Sequence, residues 1–155
     1  MRRRMARLLL IGGLVAGLTH GAPAHAMMKT PGSAARAADA SQQACLYYTG
    51  AGVSNSFCDS ATVTVIVPGS LQMTARQVNP QITVWSAGAR TAQCKALIVN
   101  GKTGAVVAAS RSSTKTNAYE RMSFGWLGST ADSLLSFECR LAPGAGIESA
   151  LWQLF

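Results

Sequence analysis

The side chains that could do chemistry in this chain are few, and one type is confined to its start. Both histidines, His20 and His25, fall within the first 26 residues. The absence of histidine beyond that point removes Ser-His-Asp and Cys-His catalysis, histidine general bases and nearly every catalytic zinc site. No glycine-rich loop follows a strand and opens a helix, so nucleotide binding has no support and no cofactor is implied. The later acids are Asp39, Asp59, Glu120, Asp132, Glu138 and Glu148. A carboxylate-dependent hydrolase needs two of them across one cleft, roughly 5–10 Å apart. Glu120 and Glu138 are the pair for which this is geometrically conceivable. The plainer reading of Glu138, between Ser136 and Arg140, is a solvated strand residue. Lys95, Lys102 and Lys115 read as exposed, so a Ser-Lys dyad lacks its buried lysine.

Aromatic rings are the other candidates, because exposed rings stack on sugar faces and buried ones pack. Trp85 falls on the opposite side of the alternation from Ile82 and Val84, which points it outward. It is the candidate ligand-binding residue. Trp126 shares a face with Met122 and Phe124, and Trp152 with Ala150 and Leu154, so both read as core.

Four cysteines remain, Cys45, Cys58, Cys94 and Cys139. An even count in an exported chain implies two disulfides, with three possible connectivities. We favour Cys45–Cys58, closing a glycine-rich loop, and Cys94–Cys139, joining two inward strand positions. A metal or redox site would show Cys-x-x-Cys pairs or interleaved histidines, and neither occurs.

Export is read from the N-terminus. Arg2, Arg3, Arg4 and Arg7 precede an apolar run from Leu8 to Leu18, and Ala24-His25-Ala26 suits a signal peptidase. The run is 11 residues, against the roughly 20 needed to span a bilayer. Residues 1–26 therefore read as a signal peptide, and the mature form carries no membrane span. The whole chain has 14 basic and 6 acidic residues, a net +8. Removing the four signal arginines leaves 10 against 6, a net +4. Those ten are scattered singly, a pattern of solvated surface charge with no nucleic-acid partner implied. The expected location is secreted or periplasmic.

The remaining 129 residues suit one domain. Residues 27–43, rich in Ala and Ser around Pro31-Gly32, read as a flexible leader. From residue 44 to 155 the pattern is β. Period-two alternation marks 63–67, 82–85, 92–99, 122–126 and 133–142, and Asn100-Gly101-Lys102-Thr103-Gly104 is a hairpin turn. In 133–142, Leu135, Phe137, Cys139 and Leu141 face one side, and Ser136, Glu138 and Arg140 the other. Pro143-Gly144-Ala145-Gly146 breaks the chain before a last strand, Ile147 to Phe155. About seven to eight strands without an amphipathic helix imply an all-β fold. The form expected is a single antiparallel β-sandwich, jelly-roll or Ig-like, stapled by disulfides.

Cys94-Lys95-Ala96-Leu97 and the late segment Ser136 to Ile147, of form Ser-Phe-x-Cys-x-Leu-x-Pro-Gly-x-x-Ile, resemble small secreted bacterial β-sandwich proteins of unknown function. That resemblance carries structural motifs and no active residues. The chain also resembles chaperone-assembled pilins in size, export and β content. It departs from them at Leu151, which breaks the last alternation, at Leu154, where a tyrosine is typical, and in having four cysteines. Three readings follow. The first is an exported, non-enzymatic binding module for a glycan or an envelope surface, with loops 69–77 and 111–117 available for recognition. The second is a structural or assembly subunit that pairs through a strand edge or the C-terminal strand. The third is the carboxylate-dependent hydrolase.

Overall fold

The computed structural model describes residues 26–69, 76–88 and 91–155. The expected signal peptide, apart from Ala26, and most of the 69–77 loop lie outside the described residues. Within them the chain forms twelve strands. They are β1 (Met27–Pro31), β2 (Arg36–Ala37), β3 (Leu46–Tyr48), β4 (Val53–Asn55), β5 (Val63–Pro68) and β6 (Gln77–Ser86). Then follow β7 (Ala92–Asn100), β8 (Val106–Ser112), β9 (Ala118–Ser123), β10 (Leu127–Gly128), β11 (Ser133–Leu141) and β12 (Gly146–Leu154). Short 3-10 segments occupy Gly32–Ala34 and Ala40–Cys45.

Every strand pairing is antiparallel, and the strands make two sheets. One runs β2-β5-β11-β7-β8. The other runs β3-β4-β12-β6-β10, with β1 also on β12 and β9 also on β6. The all-β sandwich is therefore as read from the sequence. Seven strands have six residues or more. Alternation reveals β5, β6, β7 and β11, while β8 and β12 are marked by the turns that precede them and β9 is caught only at its end. The extra strands are short edge pieces, and two or three residues carry no period.

The core forms where the inward faces meet. Phe137 of β11 stacks on Trp152 of β12 with centroids 4.4 Å apart, and Phe124 packs on Phe137 at 5.3 Å. Val63, Val65, Val67, Ile82, Val84 and Ile98 fill the space around them. Both favoured disulfides form. Cys94 and Cys139 are directly opposed in β7 and β11, with Cα atoms 4.1 Å apart and both side chains buried. Cys45–Cys58 closes the β3–β4 hairpin.

Three expectations need correction. Residues 27–43 are part of the sandwich rather than a loose leader. β1 pairs with β12 along five positions, from Met27↔Gln153 to Pro31↔Ser149. Gly32 is buried against the Ile147 backbone, Ala35 is fully buried, and Arg36–Ala37 pair with Ile66 and Val65. Backbone hydrogen bonds and small side chains hold this segment, so it shows no apolar period. Trp126 is 46% exposed. β9 ends at Ser123, and Gly125 takes φ +77°, which breaks the alternation before Trp126 is reached. The C-terminal strand, finally, is not available for pairing with another chain. β12 lies inside its sheet, between β6 on one side and β1 and β4 on the other.

Candidate functional site

β6 alternates strictly. Val78, Pro80, Ile82, Val84 and Ser86 are buried, while Gln77, Asn79, Gln81, Thr83 and Trp85 face the outer surface. Trp85 is thus placed on the outer face, half-buried. Its neighbour across β9 is Tyr119, with ring centroids 5.1 Å apart and planes tilted by 51°. On the other side the register sets Trp85 beside Gly146, Gly146 beside Ser54, and Ser54 beside Tyr47. Tyr47, Ser54, Gly146, Trp85 and Tyr119 therefore form one row across five strands. At about 4.8 Å per strand the row spans roughly 19 Å. Tyr47 is edge-stacked on Phe57 at 5.9 Å.

Gly146 has no side chain to fill the row's centre. A Cβ there would lie 2.7 Å from the Val53 carbonyl oxygen and 3.0 Å from the Ser54 Cβ. The space above this glycine is a pocket of about 240 Å³. Trp85 and Tyr119 form one wall, and Thr49, Gly52 and Ser54 the other. Glu148, exposed at a bulge where the β12–β6 register shifts, is the one acid among its described lining residues.

The second wall is held from beneath. Thr49 closes a tight turn: its N–H donates to the Gly52 carbonyl at 2.9 Å, and its hydroxyl accepts from the Gly52 N–H at 2.8 Å. The Cys45–Cys58 disulfide ties the ends of this hairpin together. Asn55, fully buried at the end of β4, donates from its amide to the carbonyls of Ala61 (2.7 Å) and Leu141 (3.0 Å). One side chain thus connects the hairpin to the other sheet.

The carboxylate pair considered for hydrolysis is not assembled. Glu138 sits on the exposed face of β11 in one sheet, beside Lys95, and Glu120 sits in β9 of the other. The Glu120 carboxylate is engaged by the 111–117 loop. It accepts from the Thr114 N–H at 2.7 Å, the Lys115 N–H at 3.0 Å and the Thr114 hydroxyl at 3.1 Å. Partial burial, the largest single effect, pushes its pKa up. The N–H donors of Lys115 and Thr114, the Thr114 hydroxyl and the Lys115 charge together outweigh it and hold the group below its ordinary value. Asp132 is paired with Lys102 at 3.4 Å on the surface.

The loop 111–117, read as a recognition loop, is braced rather than free. The buried Ser113 hydroxyl shares a hydrogen bond with Ser86 at 2.9 Å and accepts from the Ala92 N–H at 3.0 Å. Of the residues in this candidate row, the sequence singles out Trp85 and not Tyr119, Tyr47, Ser54 or Gly146. Tyr119, Arg121 and Ser123 do alternate with Glu120 and Met122, so Tyr119 was within reach. The row itself depends on cross-strand register, which alternation does not carry.

No protein-family model matches the chain, and no curated protein matches it. Solved structures share the fold. One is the C-terminal CBM6 of LamC, a marine laminarinase from Zobellia galactanivorans, at 11% identity and a TM-score of 0.56, covering 83% of this chain and 99% of that one. Another is the CBM22-1–GH10 portion of xylanase 10B from Clostridium thermocellum, complexed with xylohexaose, at 9% identity and a TM-score of 0.52. The match covers 84% of this chain and 28% of that one. A third is CBM1 of BiXyn10A, at 10% identity and a TM-score of 0.53, covering 83% of this chain and 97% of that one. The chain thus shares a two-sheet β-sandwich fold with these carbohydrate-binding modules.

Proposed function

We infer that the chain is an exported, non-catalytic module that binds a glycan, with Trp85 and Tyr119 as its stacking platform. The observation that carries this reading is the pocket over Gly146. It combines two outward rings with hydroxyls from Thr49 and Ser54 and one carboxylate, the mixture of apolar faces and polar groups that a sugar ring presents in return. The shared fold of the carbohydrate-binding modules supports it. Two disulfides suit an oxidising compartment, secreted or periplasmic. No described helix is long and apolar enough to cross a membrane. The resemblance to small secreted proteins is consistent with such a module, and surface glycans of a cell envelope are the partner class to examine.

The test is a titration of the exported, oxidised protein with cell-wall and surface polysaccharides, followed by tryptophan fluorescence. A saturable change that Trp85→Ala abolishes is expected, in a variant whose circular dichroism is unchanged. Tyr119→Ala is expected to weaken binding by about 3- to 10-fold, the worth of one aromatic contact. Binding that survives both substitutions would move the site elsewhere, and silence across the panel would sink the glycan reading.

A further inference from the structure

We propose that β8 is a pairing edge, through which two copies of this chain join their five-stranded sheets into one. β8 is the outermost strand of its sheet and is seven residues long. All of its residues except Ala109 are exposed, Val106 by 57% and Val107 by 43%. The hydrogen bonding shows which backbone groups are open. The Asn100 N–H donates to the Ala105 carbonyl and the Ser113 N–H to the Ala92 carbonyl, in one register with the β7–β8 pairs. Odd-numbered residues of β8 therefore bond β7. Val106, Ala108, Ser110 and Ser112 turn their N–H and C=O groups outward. A row of that kind is satisfied by another strand.

Edges that face solvent are ordinarily guarded by charge, proline or shortness. The other described edges here follow that practice. β1 carries Lys29 and Pro31, β9 carries Glu120 and Arg121, and β2, β3 and β10 are two or three residues long. β8 has no charge or proline from Val106 to Ser110. Its guard comes only at the far end, where the Arg111 guanidinium reaches the Ser110 carbonyl at 3.5 Å and leaves the Val106 and Ala108 groups open. On its outer side Val106 continues into Val99 and the exposed Leu134, forming an apolar row.

The strand suits itself as a partner. Antiparallel pairing about a twofold axis at Ala108 places Ala108 opposite the second copy's Ala108, Val106 opposite Ser110, and Val107 opposite Ala109. Small residues meet at the centre, and larger ones face smaller ones on either side. Arg111, whose guanidinium reaches back to the Ser123 carbonyl at 3.3 Å, falls opposite Ala105. The two copies of Arg111 then lie about 20 Å apart, beyond the ~8 Å over which exposed charges interact in physiological salt. The contact is a ribbon about 23 Å long and one strand wide. That is less than the ~800 Å² per partner of a standard interface, so association on the order of micromolar or weaker is expected. On the glycan reading, a dimer also carries two pockets and gains avidity, but the pairing does not depend on that reading.

The experiment is sedimentation velocity on the exported, oxidised protein from about 1 μM to about 1 mM, a range that brackets such an affinity. The expected result is a monomer that becomes a dimer with concentration. Ala108→Lys, which opposes two lysines at the axis on an already exposed position, is expected to weaken the dimer at least tenfold and leave circular dichroism and any glycan titration unchanged. In the unsubstituted protein, the amides of Val106 and Ala108 are expected to gain hydrogen-exchange protection as concentration rises. A monomer throughout, or a dimer that Ala108→Lys leaves intact with those amides unprotected, would overturn the proposal.

Discussion

At the scale of single residues, Glu120 shows how a carboxylate that invites a catalytic reading can be a brace. Its two oxygens receive three hydrogen bonds from Thr114 and Lys115, and these lower its pKa below the ordinary glutamate value of about 4.5. A carboxyl with a lowered folded value stabilises the folded state fully above its unfolded value, and the contribution is lost as pH falls through the folded value. The loop at 111–117 should therefore hold at neutral pH and loosen in acid. The measurement is the Thr114 amide shift followed by NMR from about pH 6 to about pH 2, a window on both sides of an ordinary carboxylate. We expect a titration with a midpoint below 4.5, absent in Glu120→Ala. A flat profile in the unsubstituted protein would mean that the brace does not form in solution.

At the scale of elements, the parts legible in the sequence were those with a period. Leu135, Phe137, Cys139 and Leu141 announced β11, and the Asn100-Gly101 turn announced the β7–β8 hairpin, because side-chain burial imposes alternation on long strands. The segment 27–43 was illegible for the opposite reason. Its place is set by main-chain pairing and by small residues that fit where larger ones would not. Gly32 is the clearest example, since any Cβ there would collide with the Ile147 carbonyl. Gly32→Val should therefore destabilise the protein by about 1–3 kcal/mol, the range for forced overpacking. Urea denaturation would measure it, and an unchanged midpoint would show that the first strand contributes little. The candidate site divides along the same line. Trp85 was visible because β6 alternates, whereas its companions Tyr47, Ser54 and Gly146 come from β3, β4 and β12 and meet only through register.

At the scale of the whole molecule, the two disulfides act at different places. Cys94–Cys139 joins β7 to β11 in the core of one sheet, and Cys45–Cys58 fastens the hairpin that walls the pocket in the other. Constraint of the unfolded chain predicts a loss of about 4 kcal/mol for the Cys94→Ala/Cys139→Ala pair and about 3 kcal/mol for Cys45→Ala/Cys58→Ala. Denaturant midpoints would test this, and only the second pair should also weaken the glycan titration at temperatures where both variants are folded. Equal effects on binding would place the pocket wall under both constraints. The order in which the molecule can be completed is fixed by another feature, the pairing of Met27 with Gln153. The first strand of the sandwich waits for the last. A chain emerging from its N-terminus has β1 in hand early and nothing to lay it against until β12 arrives, so closure of that sheet is a late event with slow, long-range character. Lys29 and Pro31 are residues of the kind that discourage a waiting strand from templating on other chains, and we expect them to act so through that interval. The same two residues that mark β1 as an edge in the finished protein are thus expected to guard it while the protein is still being made.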